Sequence, residues 1–323
     1  MPEIIPETLL QIKDLKVQYA TRAGRVKAVD EVDLEVQRGE ILGLVGESGC
    51  GKSTMGFSIL RLIREPGQIV GGQILFNGED LLQKTEQEMV RIRGKNIAMI
   101  FQDPMTCLNP LQRLDDHFIE TLQIHEGVSA KEAYQRAANL VDKLGIVADR
   151  LTDYPHQLSG GMRQRIMIGL ALVLNSDLII ADEPTTSLDV IVEAQILELI
   201  KDLKVAFDLT MILITHNMGI VAEVADRIAV MYAGKLVEVA DTIALYDKPL
   251  HPYTQGLLNS IPNIRLEEQK LEIMPGSPPD LIEPPSGCNF HPRCPRAMDK
   301  CSQAEPSMKE IESGHRVACW LYD

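Results

Sequence analysis

The chain has 323 residues, of which 45% are hydrophobic and 24% are charged, a balance typical of a globular protein with one to three domains. Its formal net charge of −14 argues against nucleic acid or an anionic membrane as the main partner. No apolar run approaches the roughly 20 residues needed to cross a bilayer, and the start, "MPEIIPETLL", lacks the features of a secretory signal. The sequence therefore predicts a cytosolic protein whose six cysteines are reduced.

Apolar and polar residues alternate from residue 9 to about residue 50, which predicts antiparallel strands with one solvated face. The apolar run "ILGLV" then leads into "GESGCGKST" (46–54), and a helical stretch follows. This is the phosphate-loop pattern G-x-x-x-x-G-K-[ST] in its strand–loop–helix setting, where Lys52 would contact the β- and γ-phosphates and Ser53 would bind Mg²⁺. The predicted nucleotide contacts in this loop are Gly46, Ser48, Gly49, Cys50, Gly51, Lys52, Ser53 and Thr54.

The region from residue 102 to about residue 175 has a helical pattern and contains a second glycine-rich helix start. In "LSGGMRQR" (158–165), Ser159 is placed as an N-cap, and Gly160 and Gly161 expose backbone N–H groups before an apolar helix. Because such a helix start attracts an anion, the chain carries two predicted phosphate-binding turns.

Strands and helices alternate from residue 177 to residue 239, as in a parallel α/β core. The strand "DLIIADEP" ends in Asp182 and Glu183, which resembles a Walker B element: Asp182 would hold Mg²⁺ through its waters and Glu183 would activate the attacking water. The strand "TMILITH" ends in His216, which a parallel sheet would place beside the phosphates. Glu183 and His216 are the predicted catalytic residues.

Four cysteines follow a Pro- and Gly-rich stretch (262–287) that is predicted to be a linker: they are Cys288, Cys294, Cys301 and Cys319. A reducing compartment disfavours disulfides and polar surroundings disfavour four buried thiols, so a four-thiolate metal site is predicted. The spacing lacks the paired C-x₂-C of zinc ribbons, whereas Cys294-Pro295 matches the Cys-Pro of ferredoxin runs. Zinc, with His291 or His315 as further candidate ligands, and an iron–sulfur cluster both stay open on these residues alone.

These segments together closely resemble the ATP-binding subunits of ABC transporters, whose signature LSGGQ has Met162 here in place of Gln. The resemblance implies an α/β fold: a P-loop NTPase core with an antiparallel β subdomain, an inserted helical subdomain and a small Cys-rich C-terminal extension. The implied domains are residues 1–101 with 176–261 for the core, 102–175 for the helical subdomain and 262–323 for the extension.

The same resemblance assigns roles to further residues. Gln102, in "MIFQDP", resembles the Q-loop residue that senses Mg²⁺ and the γ-phosphate, and Tyr19 is placed like the aromatic side chain that stacks on adenine. The implied Mg²⁺ ligands are Ser53, Gln102 and Asp182. The residues implied to act on the ATP of a partner subunit are Ser159, Gly160, Gly161 and, in the D-loop "SLD" (187–189), Asp189.

The segments "DKPLHPYTQGLL" (247–258), "PGSPPDL" (275–281) and "GCNFHPRCP" (287–295) resemble the oligopeptide, dipeptide and nickel importer branch. This implies an ATPase subunit, peripheral on the cytoplasmic side of the cell membrane, that drives the uptake of di- or oligopeptides, with nickel as the alternative cargo. The implied partners are a sister ATPase subunit in a heterodimer, two integral-membrane permease subunits and an extracytoplasmic peptide-binding protein, with no nucleic acid.

Members of this branch carry a [4Fe–4S] cluster in their tail, so the resemblance favours that cofactor over Zn²⁺, beside ATP and Mg²⁺. Since the tail lies outside the ATP motifs, we expect it to affect subunit assembly rather than hydrolysis. One rival is a soluble ABC ATPase acting on nucleic acid, but no coiled-coil insertion, tandem ATPase half or basic face supports it. A second rival is a non-hydrolysing regulatory module, which Glu183 and His216 argue against.

Overall fold

The computed structural model describes residues 7–186, 188–260 and 274–323. The chain divides into two compact units, one built from residues 1–83 and 213–323 and the other from residues 84–212. Ser187 of the predicted D-loop and the predicted linker residues up to 273 lie outside the described residues. Within the described ranges, no helix combines the length and the apolar character that a membrane crossing requires.

Strands and helices alternate through most of the chain. The strands are β1 (Thr8–Ala20), β2 (Arg25–Gln37), β3 (Ile41–Val45), β4 (Gly67–Phe76), β5 (Glu79–Asp80), β6 (Ile97–Ile100), β7 (Leu178–Asp182), β8 (Thr210–Thr215), β9 (Arg227–Tyr232), β10 (Lys235–Asp241), β11 (Lys309–Glu312) and β12 (His315–Val317). The α-helices are α1 (Lys52–Ile59), α2 (Glu86–Ile92), α3 (Pro104–Cys107), α4 (Leu114–Glu126), α5 (Ala130–Lys143), α6 (Gly160–Leu172), α7 (Val190–Phe207), α8 (Met218–Val224), α9 (Thr242–Asp247), α10 (Pro252–Asn259) and α11 (Asp299–Gln303).

The first unit contains the predicted antiparallel strands. Strand β1 pairs antiparallel with β2 on one side and with β4 on the other, and β4 pairs with β5. Buried Leu15 and Val17 in β1 are separated by the more exposed Lys16, which is the alternation that the sequence shows. One face of this sheet is therefore apolar and the other is solvated, as predicted.

The same unit holds a second, mixed set of paired strands. Strand β3 is buried along its whole length and pairs parallel with β9. Strand β10 pairs antiparallel with β9 on one side and with β12 on the other, and β12 pairs with β11. The hairpin β11–β12 comes from the cysteine-rich tail, for which the sequence predicted no strands, because both strands are short and rich in polar side chains.

The second unit pairs β6 parallel with β7 and also contains helices α2 to α7, of which α6 packs against β6. Helix α5 buries Ala133, Ala137, Leu140 and Val141 along one face, the spacing of an amphipathic helix. Gly169 of α6 faces Phe118 of α4, and a Cβ at Gly169 would lie only 3.2 Å from that ring. The predicted helical content between residues 102 and 175 is therefore confirmed, and the small residue allows two of these helices to pack closely.

Candidate functional site

The phosphate loop joins buried strand β3 to helix α1 in the first unit. Gly46, Gly49 and Gly51 have φ angles of 153°, 81° and 110°, which only glycine adopts readily. A Cβ at Gly51 would lie 2.0 Å from the carbonyl oxygen of Ala28, whereas a Cβ at Gly49 would meet nothing within 4 Å. Helix α1 has Gly51 as its N-cap and makes no side-chain capping hydrogen bond at its start.

Lys52 folds back over this loop. Its Nζ donates to the carbonyl oxygens of Gly46 at 2.8 Å and Glu47 at 3.0 Å, and the residue is only 5% exposed. Burial raises the pKa of the neighbouring Cys50 thiol, so that side chain acts as a small neutral packing group. The ammonium group is thus held at the loop, where phosphate oxygens would compete with the two carbonyls for it.

Tyr19 and His216 also belong to the first unit. The Tyr19 hydroxyl lies 3.4 Å from Oγ1 of Thr54 in the phosphate loop, and a Cβ at Gly67 would lie 2.5 Å from the Tyr19 ring. His216 is exposed and directly follows β8, just before Asn217 caps α8. The structure therefore brings Tyr19 to the phosphate loop and places His216 at a strand end; their roles stay predictions.

The Walker B residues stand at the end of β7 in the second unit. Asp182 is 4% exposed and ends the strand, and Glu183 follows with a φ of 46°, which is rare for a residue with a side chain. Glu183 Oε2 accepts hydrogen bonds from Gln102 Nε2 at 3.0 Å and from Thr186 Oγ1 at 2.9 Å. The structure thus brings Gln102 and Glu183 together, while the roles that the resemblance implied for them stay predictions. Thr186 was missed, since a Thr three residues after Glu183 carries no distinctive sequence signal.

The signature segment begins helix α6 in the same unit. Ser159 is the N-cap and accepts a hydrogen bond from the backbone N–H of Met162 at 3.3 Å, as predicted. A Cβ at Gly161 would lie 2.6 Å from Val192 of α7, while a Cβ at Gly160 would be in ordinary contact with Leu188. Gly161 therefore serves close packing between the starts of two helices, a use that the sequence did not reveal.

Asp189 is the N-cap of α7, and its side chain accepts a hydrogen bond from Val192 N–H at 2.9 Å. The predicted D-loop residue is therefore fixed beside the signature helix in this unit.

The predicted ATP-site residues are divided between the two units. Those in the first are Tyr19, the phosphate loop and His216, and those in the second are Gln102, Ser159, Gly160, Gly161, Asp182, Glu183 and Asp189.

The four tail cysteines are free thiols in the first unit. Burial, together with smaller contributions from the nearby Cys301, Cys319 and Cys294 thiols, raises the pKa of the Cys288 thiol to about 11. Within the described part of the chain, however, no group of three or more His, Cys, Asp or Glu residues could hold a metal ion. The predicted metal site is therefore not confirmed, although the four thiols are close enough to influence one another.

The two histidines considered as zinc ligands have other partners. His315 is buried, and its Nε2 lies 2.8 Å from Glu238 Oε1, while His291 Nδ1 lies 3.0 Å from the carbonyl oxygen of Cys288. Glu238 also accepts backbone hydrogen bonds from Leu250 and His251, so His315 belongs to a buried anchor rather than to a zinc site.

The tail contacts one of the ATP motifs in the folded chain. Arg293, between Cys288 and Cys294, makes a two-pronged ion pair with Glu47 inside the phosphate loop, with distances of 2.7 and 3.0 Å. The tail lies outside the ATP motifs in sequence but meets the phosphate loop in space, because folding brings together residues 246 positions apart. The expectation that it affects subunit assembly rather than hydrolysis stays a prediction.

Two parts of the chain match families of known proteins. Residues 29–186 match the family described as "ABC transporter", and residues 237–301 match "Oligopeptide/dipeptide transporter, C-terminal region". In the dimeric post-hydrolysis structure of the ATP-binding cassette MJ0796 bound to ADP and Pi, 98% of that chain aligns with 72% of this one, at a TM-score of 0.65 and 26% identity.

Full-length relatives are more similar still. The oligopeptide transport ATP-binding protein AppD of Bacillus subtilis is 47% identical over 319 residues, covering 98% of this chain and 97% of that protein. The oligopeptide transport ATP-binding protein OppD of Escherichia coli is 43% identical, covering 97% of this chain and 93% of that protein. The chain therefore belongs to the family of ABC transporter ATP-binding proteins, in its oligopeptide and dipeptide importer branch.

Proposed function

We propose that the chain hydrolyses MgATP with Glu183 as the general base, and that this hydrolysis drives the uptake of di- or oligopeptides. The observation that carries the proposal is the conformation of Glu183, which has a positive φ and a carboxylate held by two neighbours. A non-glycine residue persists in this conformation only where the surrounding structure maintains it, and such strain is concentrated at functional sites.

The two hydrogen bonds orient the Glu183 carboxylate for proton transfer. Gln102 and Thr186 both donate to Oε2, so the side chain cannot rotate without losing them. A carboxylate that is fixed in this way can take a proton from an attacking water as the water approaches the γ-phosphate. His216 would contact the same phosphate, and Tyr19 would stack on the adenine ring.

The predicted Mg²⁺ ligands fit the ion by chemistry. Mg²⁺ prefers oxygen ligands, and Ser53, Asp182 and Gln102 offer a hydroxyl, a carboxylate and an amide oxygen. Gln102 donates to Glu183 through its amide nitrogen, so the amide oxygen is the atom that suits the metal. Bound by these residues, Mg²⁺ would neutralise the phosphate charge, while Lys52 and the loop N–H groups bind the β- and γ-phosphates.

A dimer would complete each site. Ser159, Gly160, Gly161 and Asp189 would act on the ATP held by a partner subunit, and the dimeric MJ0796 cassette supports such an arrangement. We infer that the partner is a sister ATPase subunit. The transport names of the relatives support assembly with two permease subunits and a peptide-binding protein, at the cytoplasmic side of the membrane.

We also propose that the four tail thiolates bind a [4Fe–4S] cluster rather than a single Zn²⁺. Cys288, Cys294, Cys301 and Cys319 are unpaired by disulfides and lie near one another. A tetrahedral zinc site needs sulfur atoms about 2.3 Å from one ion, whereas a cluster has a larger body and tolerates wider spacing. Anaerobically purified protein should be brown with about four iron atoms per chain; colourless protein with one zinc would overturn this proposal.

The test of the hydrolytic role is Glu183→Gln, measured as steady-state ATPase activity and as ATP binding. We expect kcat to fall by about 10²–10⁴-fold, because the base is lost, while ATP still binds. Glu198→Gln is the matched control, since Glu198 is an exposed residue of α7 whose carboxylate lies 3.5 Å from Lys201 Nζ. Unchanged turnover in Glu183→Gln would refute the assignment.

A further inference from the structure

Glu47 is the phosphate-loop residue between Gly46 and Ser48, and it is held from outside the loop at both its side chain and its backbone. Arg293 donates to its carboxylate through Nη1 at 2.7 Å and Nη2 at 3.0 Å. Tyr253 accepts a hydrogen bond from the Glu47 backbone N–H at 2.9 Å. A fork of two parallel N–H donors fixes a carboxylate in orientation as well as in position.

Arg293 is itself rigidly placed in the C-terminal extension (described residues 274–323). Its side chain is 6% exposed, against 28% for Glu47, and its Nε donates to the Pro275 carbonyl oxygen at 2.9 Å. Its guanidinium lies 5.7 Å from the centre of the Tyr232 ring. A charge with this little exposure loses much of its hydration, so it needs its carboxylate partner.

The rings around this ion pair form one aromatic cluster, made of Tyr232, Tyr253 and Phe290. The Tyr232 centroid lies 4.6 Å from that of Tyr253 and 5.2 Å from that of Phe290, and all three residues are buried. Phe290 comes from the extension, Tyr253 from α10 and Tyr232 from β9. The two residues that hold Glu47, Arg293 and Tyr253, are therefore both positioned by this one aromatic cluster.

The extension also contacts the hairpin that carries Tyr19. The carbonyl oxygen of Leu281 accepts a hydrogen bond from the backbone N–H of Lys27 at 3.0 Å. A Cβ at Gly24, in the turn between β1 and β2, would lie 2.5 Å from the Ile282 side chain. The extension thus touches the phosphate loop and the β1–β2 hairpin, two of the elements of the first unit that are proposed to bind nucleotide.

We propose that Arg293 is a positioning residue of the ATP site, through which the C-terminal extension sets the conformation of the phosphate loop. This inference rests on the proposed function. Arg293 acts through Glu47 and does not contact the nucleotide. Because the loop N–H groups bind the phosphates in the ground state and the transition state alike, misplacing them weakens ATP binding more than it slows the chemical step.

The experiment compares Arg293→Met, Arg293→Lys, Glu47→Gln and the double variant Arg293→Met/Glu47→Gln in the full chain. We expect Arg293→Met to raise the ATP KM about tenfold with kcat changed less than about twofold. Arg293→Lys should restore part of the affinity, because it keeps the charge and loses the fork. Arg296→Met is the matched control, since Arg296 is an exposed residue of the same segment.

The double variant separates positioning from a merely structural role. If Arg293 acts through Glu47, Arg293→Met/Glu47→Gln should bind ATP no more weakly than Arg293→Met alone. Glu47→Gln leaves the sequence of the extension intact. A rise of about tenfold in the ATP KM of Glu47→Gln therefore supports the inference even if Arg293→Met unfolds the extension. An unchanged KM in Glu47→Gln and Arg293→Met, or fully additive effects, would overturn it.

Failure of the inference about Arg293 can be distinguished from failure of the proposed function. A wild-type chain that hydrolyses ATP and loses turnover in Glu183→Gln supports the hydrolytic role whatever Arg293 does. A wild-type chain that neither binds nor hydrolyses ATP would refute the proposed function and this inference together.

Discussion

The phosphate loop (46–54) and the C-terminal extension (274–323) lie in the same unit and are built in opposite ways. The loop owes its shape to backbone geometry, with three glycines at positive φ and a lysine bonded to loop carbonyls. The extension is attached through polar side-chain contacts, among them Arg293 with Glu47 and His315 with Glu238. Changes in the loop should therefore damage nucleotide binding, whereas changes at the Glu238 anchor should damage stability.

The largest expected effect is at Glu238, which is fully buried and accepts hydrogen bonds from the backbone N–H groups of Leu250 and His251 besides contacting His315. Glu238→Ala leaves three polar groups without this partner, so we expect a loss of about 3–5 kcal/mol in the free energy of unfolding. This loss is measured by urea unfolding of Glu238→Ala and of the wild type. Asp247→Ala, at an exposed helical position, should change stability by no more than about 0.5 kcal/mol.

The next largest expected effect is on ATP binding by the phosphate loop. Gly51→Ala places a Cβ 2.0 Å from the Ala28 carbonyl oxygen at a φ of 110°, so the loop must distort. We expect ATP affinity to fall about 100-fold, the equivalent of about 2.7 kcal/mol, measured by calorimetric titration.

Gly49→Ala provides the contrast for Gly51→Ala. Its φ of 81° is also unfavourable for alanine, yet the added Cβ meets no atom within 4 Å. We expect a loss of about tenfold or less, the cost of the backbone conformation alone. Equal losses for the two variants would show that steric contact with Ala28 does not matter.

The last expected effect concerns pH and the segment that meets the Glu238 anchor. Burial lowers the pKa of His251 from 6.5 to about 3, so the folded chain keeps this imidazole neutral where the unfolded chain protonates it. Above pH 6.5 this difference contributes nothing to stability. As the pH falls from 6.5 toward 3, it destabilises the fold with a slope approaching about 1.4 kcal/mol per pH unit.

His251→Asn should remove this pH dependence. The His251 side chain caps α10 by accepting the Tyr253 backbone N–H, and Asn is a good N-cap without a titrating group. The stability difference between the variant and the wild type, measured by urea unfolding, should therefore shift in favour of the variant between pH 6.5 and pH 5. A difference that is the same at both pH values would contradict the assigned cause.

The nucleotide motifs could be predicted because each is local. Gly46 to Thr54 form one turn, and Asp182 and Glu183 end one strand, so neighbouring residues carry the whole signal. The attachment of the extension could not be predicted in this way. Arg293 and Glu47 are 246 positions apart, and His315 and Glu238 are 77 apart. Nothing in the sequence around either partner specifies the other, because the pairing depends on where strands and the aromatic cluster bring the chain.

The pairing of β12 with β10 has a consequence for solubility. Glu238 and Val239 of β10 lie opposite Val317 and Arg316, so the tail hairpin covers this side of β10. A chain shortened to residue 260 would expose a strand with unpaired N–H and C=O groups along an apolar sequence, and such an edge invites association with other chains. Relatives that lack this tail would need another cover at the same place, such as a charged side chain, a proline or a bulge.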